Sequence, residues 1–303
     1  MKLRLVLIVS ALALLAASCG DSSQAVATVN DTAITANFMA SLRESYTGTL
    51  NVNTEQFRND LSQNIIVFAV RDVAESELGI SISDAEIAER LNDPPPRWQA
   101  LIAEIAADED TTDAYAESQA ELSILRDRVT AELIRRQDGF IEGTLSETPQ
   151  ELTAGCVRHI LVETEAEAEA AAARLEAGED FVALAEEVTT DTATGGAFVG
   201  GCPVGFGGFV PAFAVAATRG PLNQVIGPVQ SGFGFHLILV EQRVGPPTLE
   251  EVTADPIRYL PGAMLSNFFT SWFNDAVRES EISVAPAVGR WSVTGVGIVP
   301  PGQ

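Results

Sequence analysis

Two β-rich segments decide the fold of this 303-residue chain: Arg158-His159-Ile160-Leu161-Val162 and Phe233-Gly234-Phe235-His236-Leu237-Ile238. Aliphatic and aromatic runs of this length are typical of strands that face a core. Each segment holds one histidine, and the chain has only these two. Histidine is the side chain that titrates nearest neutral pH, so the two strands mark the first place to look for a functional site.

The residues between these segments predict a compact α+β domain of about 90 residues. An Ala- and Glu-rich helix over 164–177 ends at Gly178, and a second helix follows over 179–188. A glycine-rich loop and an aromatic helical segment come next, before two strands close the region. The predicted order is strand, helix, helix, loop, helix, strand, strand. The loop follows no strand–helix context and matches no nucleotide fingerprint, so phosphate binding is rejected.

This region resembles the parvulin peptidyl-prolyl isomerases. The two histidine-bearing segments are similar to the two signature strands of that family. Phe181-Val182-Ala183-Leu184-Ala185 with the following Thr190-Asp191 is similar to its helix and acidic loop, and Pro211–Phe213 to its pocket helix. The resemblance covers residues 156–243, and both histidines fall at the family's histidine positions. It implies a small, antiparallel-rich sheet with surrounding helices.

The resemblance also implies a site and a reaction. His159 and His236 would face each other on adjacent central strands, with Asp191 near the substrate carbonyl. The implied catalytic residues are therefore His159, Asp191 and His236, and the implied substrate-binding residues are Phe209, Val210, Phe213 and Phe233. The reaction is rotation about an X–Pro bond, which breaks no bond and requires neither metal nor cofactor.

Each assignment has an alternative. The histidine pair can serve to orient the sheet, Asp191 can cap a turn, and Phe209 and Phe213 at i, i+4 can be ordinary core. The chain also departs from the family: its glycine-rich loop is stretched, and Phe233 replaces a serine of some relatives. With no lysine and few arginines near the loop, recognition of a phosphorylated Ser-Pro is not expected.

Charge and lysine content exclude several classes of protein. The net charge is −24, which argues against binding to nucleic acid or to anionic lipid headgroups. Every basic residue except Lys2 is an arginine. Mechanisms that need a Schiff-base lysine, a P-loop lysine or a lysine general base are therefore excluded. The acidic cluster at 108–113 matches no calcium loop and is predicted to be a solvated loop.

The N-terminus predicts secretion and lipidation. Residues 1–18 combine a basic start, an apolar run and small residues, as in a signal peptide. Cys19 follows these small residues, and the segment resembles a bacterial lipobox, in which the cysteine carries lipid and becomes the new N-terminus. An ordinary signal peptide, with Cys19 near the cut by chance, is the alternative. The lipidated protein would be anchored to the extracytoplasmic face of the bacterial cell membrane.

If Cys19 carries lipid, Cys156 and Cys202 remain, an even number in an oxidising compartment. A bridge between them would contribute on the order of 4 kcal/mol in the chain-entropy model. Two unrelated thiols are the alternative. In the parvulin-like layout, a bridge would fasten the variable loop beside the first histidine-bearing strand, so both cysteines would be structural.

The rest of the chain predicts a mainly helical body. The predicted segments are a signal peptide at 1–18, a helical domain at 19–150, the parvulin-like domain at 155–244, and a C-terminal helix and tail at 245–303. The last segment, rich in aromatic residues, is expected to pack on the N-terminal helices. The layout resembles the SurA/PrsA-type extracytoplasmic foldases, with a parvulin-like domain inserted in a chaperone-like body.

The sequence therefore predicts a peptidyl-prolyl cis–trans isomerase that assists the folding of secreted proteins. Its partners would be unfolded or proline-containing secreted polypeptides. A non-catalytic holdase lipoprotein with a degenerate parvulin domain is the main alternative. A solute-binding lipoprotein is a third hypothesis. The lack of a visible two-lobed α/β repeat argues against it.

Overall fold

The computed structural model describes residues 24–47, 50–194 and 196–302. Cys19 and the predicted signal peptide lie outside these residues. The described chain divides into two compact units. Unit 1 comprises the described residues up to 73, together with 82–122 and 276–302, and unit 2 comprises 74–81 and 123–275. These units group residues differently from the predicted domain bounds, which remain a prediction.

Unit 1 is built around a three-stranded antiparallel sheet. Strands β1 (Ala25–Val29) and β2 (Thr32–Thr35) form a hairpin, and β7 (Ile282–Val284) pairs with the other edge of β1. Helices α1 (Ala36–Ala40), α2 (Glu55–Val73), α3 (Asp84–Asn92) and α4 (Pro96–Ala107) belong to this unit. Strands β8 (Arg290–Ser292) and β9 (Gly297–Val299) form a separate two-stranded sheet. The core includes Val29, Ile34, Met39, Phe57 and Leu61.

A buried ion pair joins the turn after α1 to α2. The Arg43 guanidinium donates to both carboxylate oxygens of Asp60, at 2.6 and 3.1 Å, and the Tyr46 hydroxyl donates to the same carboxylate. Asp110, from the acidic loop predicted to be solvated, accepts from the backbone N–H and hydroxyl of Ser45. It also lies 3.5 Å from Arg43. Part of the acidic loop thus fastens this turn, which the sequence did not predict.

Each of two helices contributes residues to both units. Helix α5 (Asp113–Arg136) begins in unit 1 and ends in unit 2, and α12 (Gly262–Glu279) crosses in the opposite order. Within unit 2, α6 (Phe140–Glu147), α10 (Leu249–Ala254), α11 (Pro256–Tyr259) and most of α12 form a helical cluster. Its core holds Ile134, Ile141, Leu152, Val252 and Leu260, and the Phe140 and Phe268 rings meet edge-on.

The rest of unit 2 is a four-stranded antiparallel sheet with helices on both faces. Its strands are β3 (Ala154–Val162), β4 (Val204–Gly205), β5 (Val225–Ser231) and β6 (Gly234–Val244), in the order β4-β3-β6-β5. Helices α7 (Glu165–Glu176) and α8 (Phe181–Val188) cover one face, where Ile160, Leu184 and Leu237 pack. Helix α9 (Pro211–Arg219) covers the other, over Val157 and Ile238. The two histidine-bearing segments are its central strands.

None of the helices in the described ranges combines the length and the apolar character needed to cross a bilayer. Within the same ranges, no group of three or more His, Cys, Asp or Glu side chains could hold a metal ion.

Candidate active site

The two histidines lie diagonally across the central pair of strands. In the β3–β6 register His159 is opposite Ile238 and Leu161 is opposite His236, so the histidines are two positions apart on one face. Their rings stack at 26°, with centroids 5.5 Å apart, and the two Nδ1 atoms are 3.4 Å apart. His159 is 6% exposed and His236 4%, which places the pair at the floor of the site.

Asp191 reaches the far side of His159. It follows α8, in a segment held to β3 because Thr190 donates its backbone N–H to the Leu161 carbonyl at 2.7 Å. The Asp191 Oδ2 atom lies 2.8 Å from His159 Nε2, and the Thr194 hydroxyl donates to the same oxygen at 3.2 Å. The other carboxylate oxygen accepts the backbone N–H of Ala193. Asp191 therefore caps a turn and also binds His159.

The electrostatics of the site favour an ionised aspartate beside a neutral His236. Burial opposes ionisation of Asp191, but the hydrogen bonds from His159, Ala193 and Thr194 outweigh it and lower the pKa of the carboxyl below its ordinary value. Burial, and secondarily the neighbouring His159, lowers the pKa of His236 to about 4. His236 is consequently uncharged at neutral pH.

These partners define a directed chain of hydrogen bonds when both rings are neutral. The Asp191 carboxylate is only an acceptor, so His159 Nε2 carries a proton and His159 Nδ1 accepts. His236 Nδ1 then donates to His159, which leaves His236 Nε2 to accept from the Ser231 hydroxyl at 2.7 Å. Ser231 Oγ in turn accepts the backbone N–H of Phe233. Each polar atom of the two buried rings therefore has a partner.

An aromatic wall stands over the histidines. Pro211 begins α9, a favoured position because proline has no N–H to lose there. Two residues later, Phe213 is 3% exposed and meets the His159 and His236 rings edge-on, at 5.7 and 5.4 Å between centroids. The half-buried Phe209 ring packs on Phe213 at 5.0 Å. An apolar ring such as that of proline fits a surface of this kind.

The predicted substrate-binding residues differ in how closely they lie to the histidine pair. Val210 precedes α9 as its N-cap residue and is half-buried beside the same apolar cluster. Phe233 lies in the turn between β5 and β6 and is 71% exposed, outside the ring contacts that join Phe209, Phe213 and the histidines. Its link to the site is through its backbone, which binds Ser231.

Two residues of the site were missed by sequence reasoning: Ser231 and Thr194. Both are small polar residues in loops or strand ends, where such residues are common and carry no distinctive spacing. Ser231 reaches His236 only because the β5–β6 register sets it opposite Gly234. The nearest signal was its position in the turn that precedes the second signature strand.

Side chains of β3 contact the glycine-rich loop at several points. Arg158 donates to the Gly196 carbonyl at 2.9 Å and lies 3.9 Å above the Phe198 ring. The structure also pairs Cys156 with Cys202, with Cα atoms 4.7 Å apart, a separation compatible with a disulfide. The loop that follows Asp191 is thus held against the strand that carries His159.

The comparison with known families covers this part of the chain. Residues 153–254 match the sequence profile of the PPIC-type PPIASE domain, about a third of the chain. Residues 153–254 form a parvulin-type domain. This match confirms the resemblance and the α+β fold class predicted from the sequence. The directed chain of hydrogen bonds and the aromatic wall both lie within the parvulin domain.

Curated relatives extend the similarity to the PrsA foldases. The chain is 36% identical over 131 residues to "Foldase protein PrsA" of Caldanaerobacter subterraneus subsp. tengcongensis, covering 43% of this chain and 42% of that protein. It is 43% identical over 88 residues to the Halalkalibacterium halodurans protein of the same name, covering 28% and 26%. The matched part thus spans less than half the length of these relatives.

Among solved structures, peptidylprolyl isomerase PrsA from Bacillus cereus aligns with 88% of this chain and 95% of its own, at 19% identity and a TM-score of 0.40.

Proposed function

We propose that this chain is a peptidyl-prolyl cis–trans isomerase that assists the folding of secreted proteins. The observation that carries the proposal is the pairing of His159 with His236 beneath Phe213, with Asp191 bound to His159, inside a parvulin-type domain. The relatives are named foldases, which agrees with this activity. In this proposal His159, His236 and Asp191 are the catalytic group, and Phe209, Val210, Phe213 and Phe233 contact the substrate.

The geometry suits the chemistry of the reaction. The barrier to X–Pro rotation, about 18–20 kcal/mol, comes from amide conjugation, and rotation is slow without help. An apolar pocket that removes the amide from water favours the twisted amide, which has lost its conjugation and its charge separation, over the planar one. The proline ring would rest on Phe213 and Phe209, while the buried histidine pair and Asp191 hold the floor in one orientation.

Two measurements on the chain without its signal segment test this proposal. We expect it to accelerate cis–trans exchange of an Ala-Pro peptide in NMR exchange spectroscopy. We also expect it to accelerate refolding of a substrate protein whose folding is limited by proline isomerisation. The holdase alternative predicts suppression of aggregation with exchange at the uncatalysed rate, and that result would reject the isomerase.

The proposal includes a place in the cell. We assign residues 1–18 to a signal peptide and Cys19 to lipidation, which would anchor the protein to the extracytoplasmic face of the bacterial membrane. The sequence pattern supports this assignment. Expression in a bacterium followed by membrane fractionation tests it: the chain should sediment with membranes, while Cys19→Ala should release it. Equal sedimentation of the two forms would contradict the anchor.

We also propose that Cys156 and Cys202 form a disulfide in that compartment. The separation of their Cα atoms supports the bridge, as does the predicted oxidising environment. Mass spectrometry of protein from the native compartment, alkylated without reduction, should find neither thiol modified. Two alkylated cysteines would reject the bridge.

Finally, we propose the predicted division into a helical domain at 19–150, a parvulin domain at 155–244 and a returning segment at 245–303 as the functional organisation. The helical body would hold unfolded clients while the parvulin domain isomerises their prolines. Expression of residues 153–254 alone tests the division, because an independent parvulin domain should retain isomerase activity on a short peptide. Loss of fold in that fragment would contradict it.

A further inference from the structure

The helix that carries Phe213 is bound at its C-terminal end by Arg243, which lies near the end of β6. The guanidinium donates from Nη1 to the Thr218 carbonyl at 2.6 Å and from Nη2 to the Gly220 carbonyl. Carbonyls at this end of a helix lack a partner within the helix and carry the negative end of its dipole, so a guanidinium there is favourable. The proposed function leaves Arg243 without a role.

A β-bulge turns Arg243 toward α9. Successive residues of a regular strand face opposite sides, so His236 and Arg243, seven residues apart on β6, would point to opposite faces of the sheet. The β3–β6 register, however, leaves one extra residue, Glu241, on β6 between Val240 and Gln242. The bulge therefore brings Arg243 to the face that carries His236 and that α9 covers.

Other restraints on α9 are few. Its N-cap residue, Val210, makes no side-chain hydrogen bond to the helix. Among the described residues, Arg243 is the one whose side chain donates to the backbone of residues 211–220. Methyl-sized side chains interdigitate less than long ones and fix a helix less firmly along its axis. Apart from Phe213, the residues that α9 buries are small, namely Ala214, Ala217 and Thr218.

We propose that Arg243 is a positioning residue, which sets Phe213 over the histidine pair and so determines how tightly the proline ring is bound. The proposal rests on the proposed function, in which Phe213 contacts the substrate. Since Arg243 and His236 lie on the same strand, the bonds from Arg243 fix α9 relative to the floor of the site. Without them α9 would shift along the sheet, and the Phe213 ring would leave its edge-on contact with His236, at 5.4 Å between centroids.

Three single variants test the proposal. Arg243→Met keeps an aliphatic side chain and removes the donors and the charge. Arg243→Lys keeps the charge and a donor but lacks the planar fork. Arg219→Met is the matched control, because Arg219 is exposed on the last turn of the same helix and takes no part in these bonds.

NMR line-shape analysis over a titration with an Ala-Pro peptide gives KM and kcat separately. We expect Arg243→Met to raise KM about fivefold, the effect of losing hydrogen bonds of ordinary strength, with kcat within about twofold of the wild type. Arg243→Lys should give an intermediate KM, and Arg219→Met should change neither constant. A KM in Arg243→Met that equals that of Arg219→Met would overturn the proposal.

Two further readouts separate positioning from a general loss of stability. The rings of His159 and His236 lie against the Phe213 ring, so the NMR frequencies of their ring protons should move in Arg243→Met and stay in place in Arg219→Met. In a Phe213→Leu background, Arg243→Met should add little to KM, because its effect passes through Phe213. An equal factor in KM with and without Phe213 would show that Arg243 does not act through this ring.

Urea unfolding shows whether each variant is folded under the assay conditions. If Arg243→Met is not, the comparison of Arg243→Lys with Arg219→Met decides in the same way. A wild-type chain that does not accelerate peptide exchange contradicts the proposed isomerase. The histidine ring shifts need no turnover, so they decide whether Arg243 positions Phe213 in either case.

Discussion

His159 Nδ1 and His236 Nδ1 lie 3.4 Å apart on neighbouring strands, and each ring uses its other nitrogen to bind a different partner, Asp191 or Ser231. The pair is therefore held from both ends. A side chain that orients the pair should matter for activity even if it never touches the substrate, and the two ends can be tested separately.

At the acidic end, Asp191→Asn replaces an ionised acceptor with a neutral amide that can also donate. We expect kcat/KM to fall about tenfold or more, the effect of losing roughly 1.4 kcal/mol of transition-state stabilisation, while the fold is retained. NMR exchange of an Ala-Pro peptide measures the rate. Thr192→Ala, one residue away and exposed, is the control and should keep the rate. A fully active Asp191→Asn protein would remove Asp191 from the site.

At the other end, Ser231→Ala leaves the buried Nε2 of His236 without its donor. We expect a loss of about 1–3 kcal/mol in the free energy of unfolding, measured with urea. Ser231→Thr keeps a hydroxyl and should lose less. The ring nitrogen shifts of His236 should also report a changed tautomer in the alanine variant alone. If alanine and threonine variants are equally stable, the hydroxyl does not hold His236.

The lowered pKa of His236 predicts a pH dependence of stability. Its folded-state pKa is about 4, against an ordinary value of 6.5, so between these values the unfolded chain binds more protons. The contribution of neutral His236 to the free energy of unfolding is therefore fully present above pH 6.5. It is lost as the pH falls from 6.5 through the folded-state pKa of about 4. The slope of unfolding free energy over this window should be smaller in His236→Gln. A His236 ring that titrates by NMR near pH 6.5 would contradict the shift.

The turn that leads into β6 offers a test of backbone geometry. Gly234 has φ of +134°, and a Cβ atom there would collide with the Val162 carbonyl of β3. Gly234→Ala should therefore destabilise the protein by about 1–3 kcal/mol or more. At Gly232, two residues away, nothing lies within 4 Å of such an atom, so Gly232→Ala is the matched control. Equal urea midpoints for the two variants would contradict the structural assignment.

Local signals account for much of the helical structure. Ser83 with Glu86 and Thr164 with Glu167 are capping boxes, and the structure has both. Thr35, a residue type favoured at the N-cap, caps α1 with its side chain. The sequence signals for helix ends were less reliable. The prolines at 94–96 are typical of a helix end, yet Pro96 also begins α4. The helical pattern of the sequence over 112–145 is interrupted before Gly139, whose φ is +72°.

The candidate site shows the same contrast between residues marked by a local motif and residues placed by tertiary contacts. The histidines and Asp191 could be predicted as candidates because each falls in a motif with its own spacing. Ser231 and Thr194 act through register and loop closure, which a local pattern does not contain. The short strands β7, β8 and β9 were missed for a related reason: three-residue strands carry little periodicity, and β7 forms by pairing with a distant segment.

That distant pairing has a consequence for the synthesis of the chain. Ala27 pairs with Val284, and the whole parvulin domain lies between them in the chain. Until Ile282–Val284 has been made, β1 has only its hairpin partner β2, and a lone hairpin is marginally stable. Contacts so far apart in the chain also form slowly. The sheet of unit 1 is thus completed late in synthesis. A truncated product that lacks β7 would expose the open edge of β1, to which proteases and chaperones have access.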